Sequence, residues 1–589
     1  MKLRLLACAA LLGAHPAFAQ DPLAPISDQT APTEQPQPTP PTAPIVVAPP
    51  PTTLVSPVPA PPPIPIPHDW REVFAAIRSG NWASAEVGLA LLPPNILSPV
   101  AKAELYTARG SPTVDLARLQ ALLVEAPELP QAEQLARMAV ARGAIQPPAI
   151  IWPRATVALG SAPRRGKTRP VEGEPAADEL RLAIEPLVKV DDGVAAEALF
   201  LTALPNLSFE ARAEAAQRVA WMYFVSGRDA DARRVADYGR PGATGDWAAQ
   251  AAWISGLASW RMNDWNAAYA SFREAASRAR EPEFNAAAYY WTARAAQASR
   301  RAKEVAPLLK AAARSQESFY GLMAREALGM DKRLPKSATP RDLDRIEALP
   351  NLRRASELLA MGRRAQAEEL LRYQAKISNP ADHRSLVQVA KKLGLPGAQF
   401  WLAHFGQPGA QVDAADRYPM PNWTPYNGWR VDPALAYAHI IQESNFRTDA
   451  VSPAGAVGLM QVRPGTAGDT ARSRGTSVSA ASLKDPLINI DYGQAFIELI
   501  RSNNATRGQL PKVIAAYNAG PLPVERWAYY DRGDPVLWIE SIPYWETRFY
   551  VPSVLRNMWV IQGLEGEATP TLTSLAQHKW PDFPTRRRY

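Results

Sequence analysis

Hydrophobic and polar positions change their pattern several times along this chain, and each change marks a boundary. Leu5 to Ala14 is a short apolar run behind the positive start Met1-Lys2-Leu3-Arg4, and Ala17-Phe18-Ala19 follows it. A charged start, a run too short to span a bilayer and small residues at the cleavage positions predict a secretory signal peptide over 1–19. From Asp21 to His68 no period survives, because 18 of the 48 residues are Pro. Residues 20–68 are therefore read as an extended, polyproline-like tether that builds no core. Residues 69–418 turn rich in Ala, Leu and Arg at the three-to-four spacing of amphipathic helices.

A turn recurs within that helical stretch. It reads Ser79-Gly80-Asn81-Trp82-Ala83-Ser84-Ala85, then Ser226-Gly227-Arg228-Asp229-Ala230-Asp231-Ala232, then Met361-Gly362-Arg363-Arg364-Ala365-Gln366-Ala367. A variant, Met262-Asn263-Asp264-Trp265, lies 36 residues after the second copy. Gly or Asn ends one helix in the left-handed region, and small alanines let the next helix pack closely. Units of this kind predict an α-solenoid. Tyr289-Tyr290-Trp291 and Phe319-Tyr320-Gly321 read as helix-face aromatics of its core. Gly160 to Thr168 imitates a phosphate-binding loop, but five residues separate its glycines where four are needed, and one is Pro. Residues 144–180 are instead read as an exposed connection between helical blocks.

After Pro419 the pattern shifts again, with Trp423, Trp429, Trp527, Trp538, Trp545 and Trp559 crowded into one stretch. Such rings serve equally as sugar platforms and as core, so their number leaves both open. Residues 419–560 are read as a separate compact domain. Residues 561–589, with Arg586-Arg587-Arg588, are read as a loosely held tail.

Composition narrows the classes. The chain has 589 residues, 58 of them Pro, and its one cysteine, Cys8, falls inside the signal peptide. A disulfide framework and a Cys-based zinc site are excluded, and a thiol-free mature chain suits an oxidising exported compartment, here the periplasm. The six histidines form no cluster, and no acidic calcium loop surrounds Gly533, so neither metal nor other cofactor is expected. Net charge is +8, with 46 basic and 39 acidic residues over 69–419 but 13 and 12 over 420–560. So dilute an excess reads as a solvated surface and gives no nucleic-acid partner. No stretch beyond the signal is long and apolar enough for a membrane segment.

Candidate chemistry sits after Asp432-Pro433, which open a helix as N-cap and first residue. The run continues through His439-Ile440-Ile441-Gln442 to Glu443-Ser444. Glu443 thus lies at the negative end of a helix dipole among apolar neighbours, and both effects disfavour its ionised form. A carboxyl kept neutral near pH 7 donates a proton to a leaving oxygen, although a lone Glu on a helix is also an ordinary surface residue.

Four ordered motifs decide between these. Glu443-Ser444, Gly458-Leu459-Met460-Gln461, Ala516-Tyr517-Asn518-Ala519-Gly520 and Glu546-Thr547-Arg548-Phe549-Tyr550-Val551 follow one another in an order and spacing that resembles the soluble lytic transglycosylase family. The match runs from about Ala434 to Met558. Gln316-Glu317-Ser318-Phe319-Tyr320-Gly321 is similar to a segment of the family's helical ring. The resemblance implies a mostly α protein, an α-superhelical ring followed by a lysozyme-like catalytic domain. It implies cleavage of the β-1,4 bond between N-acetylmuramic acid and N-acetylglucosamine in peptidoglycan glycan strands, with a 1,6-anhydromuramoyl product.

By the same resemblance Glu443 is the single catalytic acid and base, and Ser444, Met460, Gln461, Tyr517, Asn518 and Glu546 contact substrate. Ser444 has a helix-ending role as an equal alternative, and Glu546 has a buried ion pair with Arg548 as its structural one. Arg463 departs from the family pattern and either meets a stem-peptide carboxylate or points to solvent. A goose-type-lysozyme-like hydrolase is the nearest rival and needs a second carboxylate; Asp449 is the nearest in sequence. A scaffold with a dormant C-terminal domain is the other, since solenoids bind proteins and the ring or tether offers a surface for cell-wall partners.

Overall fold

A computed structural model describes residues 64–584; the signal peptide, most of the tether and the last five residues lie outside them. The recurring turns do what their residues dictate. Gly80, Gly227 and Gly362 adopt φ of 74°, 74° and 78°, and Asn263 takes the same left-handed place at 60°. The residue after Gly80 or Asn263 then caps the next helix: Asn81 accepts from the Ser84 amide and Asp264 from the Ala267 amide.

Short helices from Trp70–Ser79 to Ala132–Ala141 open the chain. Their core takes in no residue of the helices from Pro175–Lys189 to Phe319–Ala327. Their apolar faces, with Leu105, Leu119 and Leu122, share one core with Leu358, Leu371, Leu386 and Leu402 of residues 346–402. Arg363 bridges to Glu104 at 2.8 Å, Arg354 pairs with Glu128, and Arg71 reaches the Ala360 carbonyl. These bonds tie the first helices to residues 346–402.

Between those two stretches, helices from Pro175–Lys189 to Phe319–Ala327 stack on their sequence neighbours around Phe200, Val219, Trp253 and Trp291. Tyr290, Trp291, Phe319 and Tyr320 are buried there as expected. This core continues without a break into Leu435, Leu459, Ile514 and Trp538 of the C-terminal part. Polar seams follow the same junction: Arg294 pairs with Asp534 and Arg417 with Glu317.

Two stretches differ from their sequence reading. Residues 144–174 carry no helix, and Val157–Ala158 pairs antiparallel with Phe405–Gly406. Yet this connection is not simply exposed, because Arg165 turns inward to Glu540. Residues 561–584 are not loosely held either: the Trp545–Glu565 helix reaches into them, and Leu572 and Leu575 of the Pro570–Ala576 helix are fully buried. Apolar spacing in so short a helix carries too little signal to read in advance. No helix among the described residues is long and apolar enough to cross a membrane.

Candidate active site

The Pro433–Glu443 helix begins as its sequence requires, with the Asp432 carboxylate accepting from the Ala434 amide at 2.8 Å. Leu435, Ala438, Ile440 and Ile441 bury one face and leave Glu443 as the last helical residue. Ser444 ends the helix. Its hydroxyl donates back to the Ile440 carbonyl at 3.3 Å and the residue is buried. Of the two roles the sequence offered, Ser444 takes the helix-ending one, and its side chain does not face a groove. The chain then reverses through Asn445 and Phe446, left-handed at φ 51° and 63°. Two such non-glycine residues in succession cost roughly 1–2 kcal/mol each, and the buried Phe446 ring, packed with Tyr437, Phe400 and Trp423, holds them.

Glu443 meets the Trp545–Glu565 helix, which packs along its own. The Tyr550 hydroxyl donates to Glu443 Oε1 at 2.5 Å and lies 2.8 Å from His439 Nδ1. Burial pushes the Glu443 carboxyl up to about 7; the Tyr550 hydrogen bond opposes this and the Glu546 charge adds to it. Burial also drives Tyr550 well above its ordinary value, so it stays a protonated donor. Burial pushes His439 down to about 3, so its ring is neutral.

The wall opposite is a loop of two tight bridges, Val451 with Val457 and Val457 with Val462. Gly458 has φ of 78°, and a Cβ there would lie 2.3 Å from Asn489 Nδ2 and 2.4 Å from the Leu483 carbonyl. Buried Asn489 ties the loop together, donating to the Val457 and Leu483 carbonyls and accepting from the Met460 amide. The Met460 side chain is fully buried against Gly493, so its expected substrate contact is not made by that side chain. Instead its carbonyl accepts from the Tyr517 hydroxyl at 2.7 Å. Gln461, half-buried at φ 48°, spends its amide N–H groups on the Gly458 and Ala450 carbonyls. Its amide oxygen has no such bond.

Tyr517 and Asn518 end the Leu510–Ala519 helix. The Tyr517 ring lies 4.4 Å from that of His439. Asn518 accepts from the Thr547 hydroxyl at 2.6 Å and donates to Glu546 at 3.5 Å. Glu546 is exposed and does not pair with Arg548. The buried Arg548 guanidinium lies 3.7 Å over the Trp221 ring and donates to the Ile542 carbonyl. Arg463 and Asp449 are both exposed. Of the six tryptophans here, Trp538, Trp559 and Trp527 are core, and Trp545 is the most open at 40 % exposure.

The structure thus gathers Glu443, Gln461, Tyr517, Asn518 and Glu546, and adds three residues to which sequence reasoning assigned no role: Tyr550, His439 and Asn489. Tyr550 stood within a quoted motif, and His439 shares a helix face with Glu443 four residues on. Nothing in the sequence flags Asn489. Among the described residues no group of three or more His, Cys, Asp or Glu comes together as metal ligands.

Comparison with known proteins bears on the family and the fold. Residues 425–535 match the family model of the Transglycosylase SLT domain. Over 276 residues the chain is 28 % identical to the soluble lytic murein transglycosylase of Escherichia coli K12, covering 44 % of this chain and 41 % of that one. It therefore spans about two fifths of the length of the first curated relatives it matches. Over 148 residues it is 32 % identical to the endo-type membrane-bound lytic murein transglycosylase A of Klebsiella pneumoniae, covering 23 % of this chain and 73 % of that one. Among solved structures, an inactive mutant of lytic transglycosylase Slt from Pseudomonas aeruginosa superposes with a TM-score of 0.52 at 20 % identity, covering 85 % of this chain and 86 % of that one. The 70-kDa soluble lytic transglycosylase of Escherichia coli gives 0.51 at 17 % identity, over 87 % and 99 %. A 70-kDa soluble lytic transglycosylase in complex with bulgecin A gives 0.51 at 18 % identity, over 87 % and 98 %. Likeness at these identities bears on the fold, which is mostly helical with the C-terminal lysozyme-like domain.

Proposed function

Because this chain belongs to the soluble lytic murein transglycosylase family, we propose that it cleaves the N-acetylmuramic acid–β-1,4–N-acetylglucosamine bond of peptidoglycan and leaves a 1,6-anhydromuramoyl end. The observation that carries this reading is one desolvated carboxyl, Glu443 at about 7, half-buried and held by Tyr550 on one oxygen. A group poised there serves as acid and as base at neutral pH.

Neutral Glu443 gives its proton to the glycosidic oxygen as the C1–O bond breaks. The carboxylate left behind takes the proton of the C6 hydroxyl, whose oxygen bonds to C1. One C–O bond breaks, one forms, the proton returns to Glu443, and no water is consumed. An intramolecular nucleophile makes a second catalytic carboxylate unnecessary. The muramoyl N-acetyl group stabilises the cationic centre between the two steps. Tyr517, Asn518, Glu546 and the free oxygen of Gln461 line the path of the glycan; Ser444 and Met460 act through the backbone they fix.

In this reading residues 69–418 are the ring and 419–560 the catalytic domain, the substrate is the glycan strand, and the enzyme works in the periplasm after removal of residues 1–19. The test is digestion of sacculi with mass analysis of the muropeptides, for the parent and Glu443→Gln side by side. Anhydro products, one water lighter than hydrolysis products, are expected from the parent and none from the variant. Reducing muramic ends alone would make the chain a hydrolase. Equal digestion by both would remove Glu443 from catalysis.

A further inference from the structure

His439 has no part in the reaction as written, yet it is fully buried one helical turn before Glu443. Its Nδ1 lies 2.8 Å from the Tyr550 hydroxyl, and that hydroxyl lies 2.5 Å from Glu443 Oε1. Its ring packs against Tyr517, whose hydroxyl is pinned to the Met460 carbonyl. Its Nε2 is buried with no hydrogen-bond partner among the described residues. The ionisable groups around this pair are Glu443 on the same helix, Tyr517 at the end of its own, and Tyr550 and Glu546 on the Trp545–Glu565 helix.

Counting protons fixes the direction of the chain of bonds. A tyrosine hydroxyl has one hydrogen, and a neutral imidazole has one N–H. If Tyr550 donates to Glu443, it has only a lone pair to offer His439, so Nδ1 must carry the ring proton. The orphaned Nε2 agrees: a bare buried lone pair is easier to tolerate than a bare buried N–H. The opposite tautomer would turn the Tyr550 hydrogen toward His439. Glu443 could then bond Tyr550 only by pointing its own proton at it, away from substrate.

Resting on the proposed transglycosylase reaction, we propose that His439 is a positioning residue: as the Nδ1–H tautomer it locks the Tyr550 hydrogen onto Glu443 Oε1 and so confines the transferable proton to Oε2. The relay needs no rearrangement through the cycle. When Glu443 becomes a carboxylate, the Tyr550 bond to Oε1 becomes charge-assisted and tightens in place. Oε2 remains the one oxygen free to collect the C6 proton.

The test compares His439→Phe, which keeps a ring against Tyr517 but has no donor, with His439→Gln, which restores an N–H. For His439→Phe, kcat falls roughly tenfold or more, a fraction of what general acid–base catalysis contributes, while KM holds. The alkaline limb of its kcat profile moves to higher pH, because the Tyr550 bond to the Glu443 anion weakens without the N–H that backs and orients it. His439→Gln recovers most of kcat. A Phe variant with the parent's kcat and pH profile overturns the proposal, as does a loss of kcat that Gln fails to recover. Should the variants not fold, ¹⁵N-histidine spectra of the parent decide. A buried ring that stays the Nδ1–H tautomer between about pH 5 and 8 is expected, and an Nε2–H signal overturns the assignment. Failure of the transglycosylase reading would show separately, as absent anhydro product from the parent chain.

Discussion

Arg165 and Glu540, 375 residues apart in sequence, meet in an ion pair at 3.0 Å whose side chains are only 5 % and 3 % exposed. The guanidinium lies over Trp253, Phe284 and Phe549, and Glu540 also accepts from the Tyr320 hydroxyl. Arg165→Met leaves a buried carboxylate without its cation, which costs about 3–5 kcal/mol. Adding Glu540→Gln removes the stranded charge and returns a large part of that loss. Urea denaturation of the parent, single and double variants measures both steps. A single variant as stable as the parent would show that the pair contributes nothing.

Burial gives Glu443 a pKa of about 7 in the folded chain against 4.5 as its ordinary value. Between these values the unfolded chain binds fewer protons than the folded one. The stability linked to Glu443 is therefore fully present below 4.5, lost as pH rises toward about 7, and level above it. Glu443→Gln cannot ionise, so its melting temperature should gain on the parent's across that window and run parallel beyond it. Thermal melts at a series of pH values check this, and a constant difference throughout contradicts the raised pKa.

The Glu546 charge helps to raise Glu443. Glu546→Gln keeps the shape and an acceptor for Asn518 but removes the charge, so Glu443 ionises at lower pH and the alkaline limb of kcat shifts down. This is opposite in sign to the shift expected for His439→Phe. A kcat profile for each variant separates the two, and a Glu546→Gln profile that moves upward rules out the electrostatic role.

Gly458→Ala is expected to disable the groove. The position needs a left-handed backbone, and its new methyl would stand 2.3 Å from Asn489 Nδ2 and 2.4 Å from the Leu483 carbonyl. Neither can yield without breaking the bonds that hold Met460 and, through its carbonyl, Tyr517. A loss of activity of about 100-fold, the scale of a small misplacement of reacting groups, together with a lowered melting temperature, is the outcome to look for. Parent-like turnover would mean that the loop does not set the site.

The sequence made some of this legible and hid the rest for definable reasons. Asp432-Pro433 announced the start of the helix that carries Glu443 near its C-terminus, because capping is local chemistry. Gly80, Gly227, Asn263 and Gly362 announced the turns, because a left-handed residue leaves few choices. The motifs leave Ser444 between the groove and the helix end and set Met460 at the groove; both side chains face the interior. A motif records that a backbone turn is needed, not which way each side chain points. Asn489 and Arg165 were unreadable because their partners lie 29 and 375 residues away.

The pairing of the first helices with residues 346–402 also dictates an order of assembly. The first five helices are ten residues each, below the length at which isolated helices persist in water. Their partner surface belongs to residues 346–402, roughly 200 residues further along the chain. Synthesis therefore delivers the amino-terminal helices first, but they cannot become stable until the stretch that latches onto them arrives. Such a long-range contact forms late and slowly. A chain cut short before residue 346 would leave its opening segment as exposed apolar coil, so a truncated product is marked for proteolysis at the end that was made first.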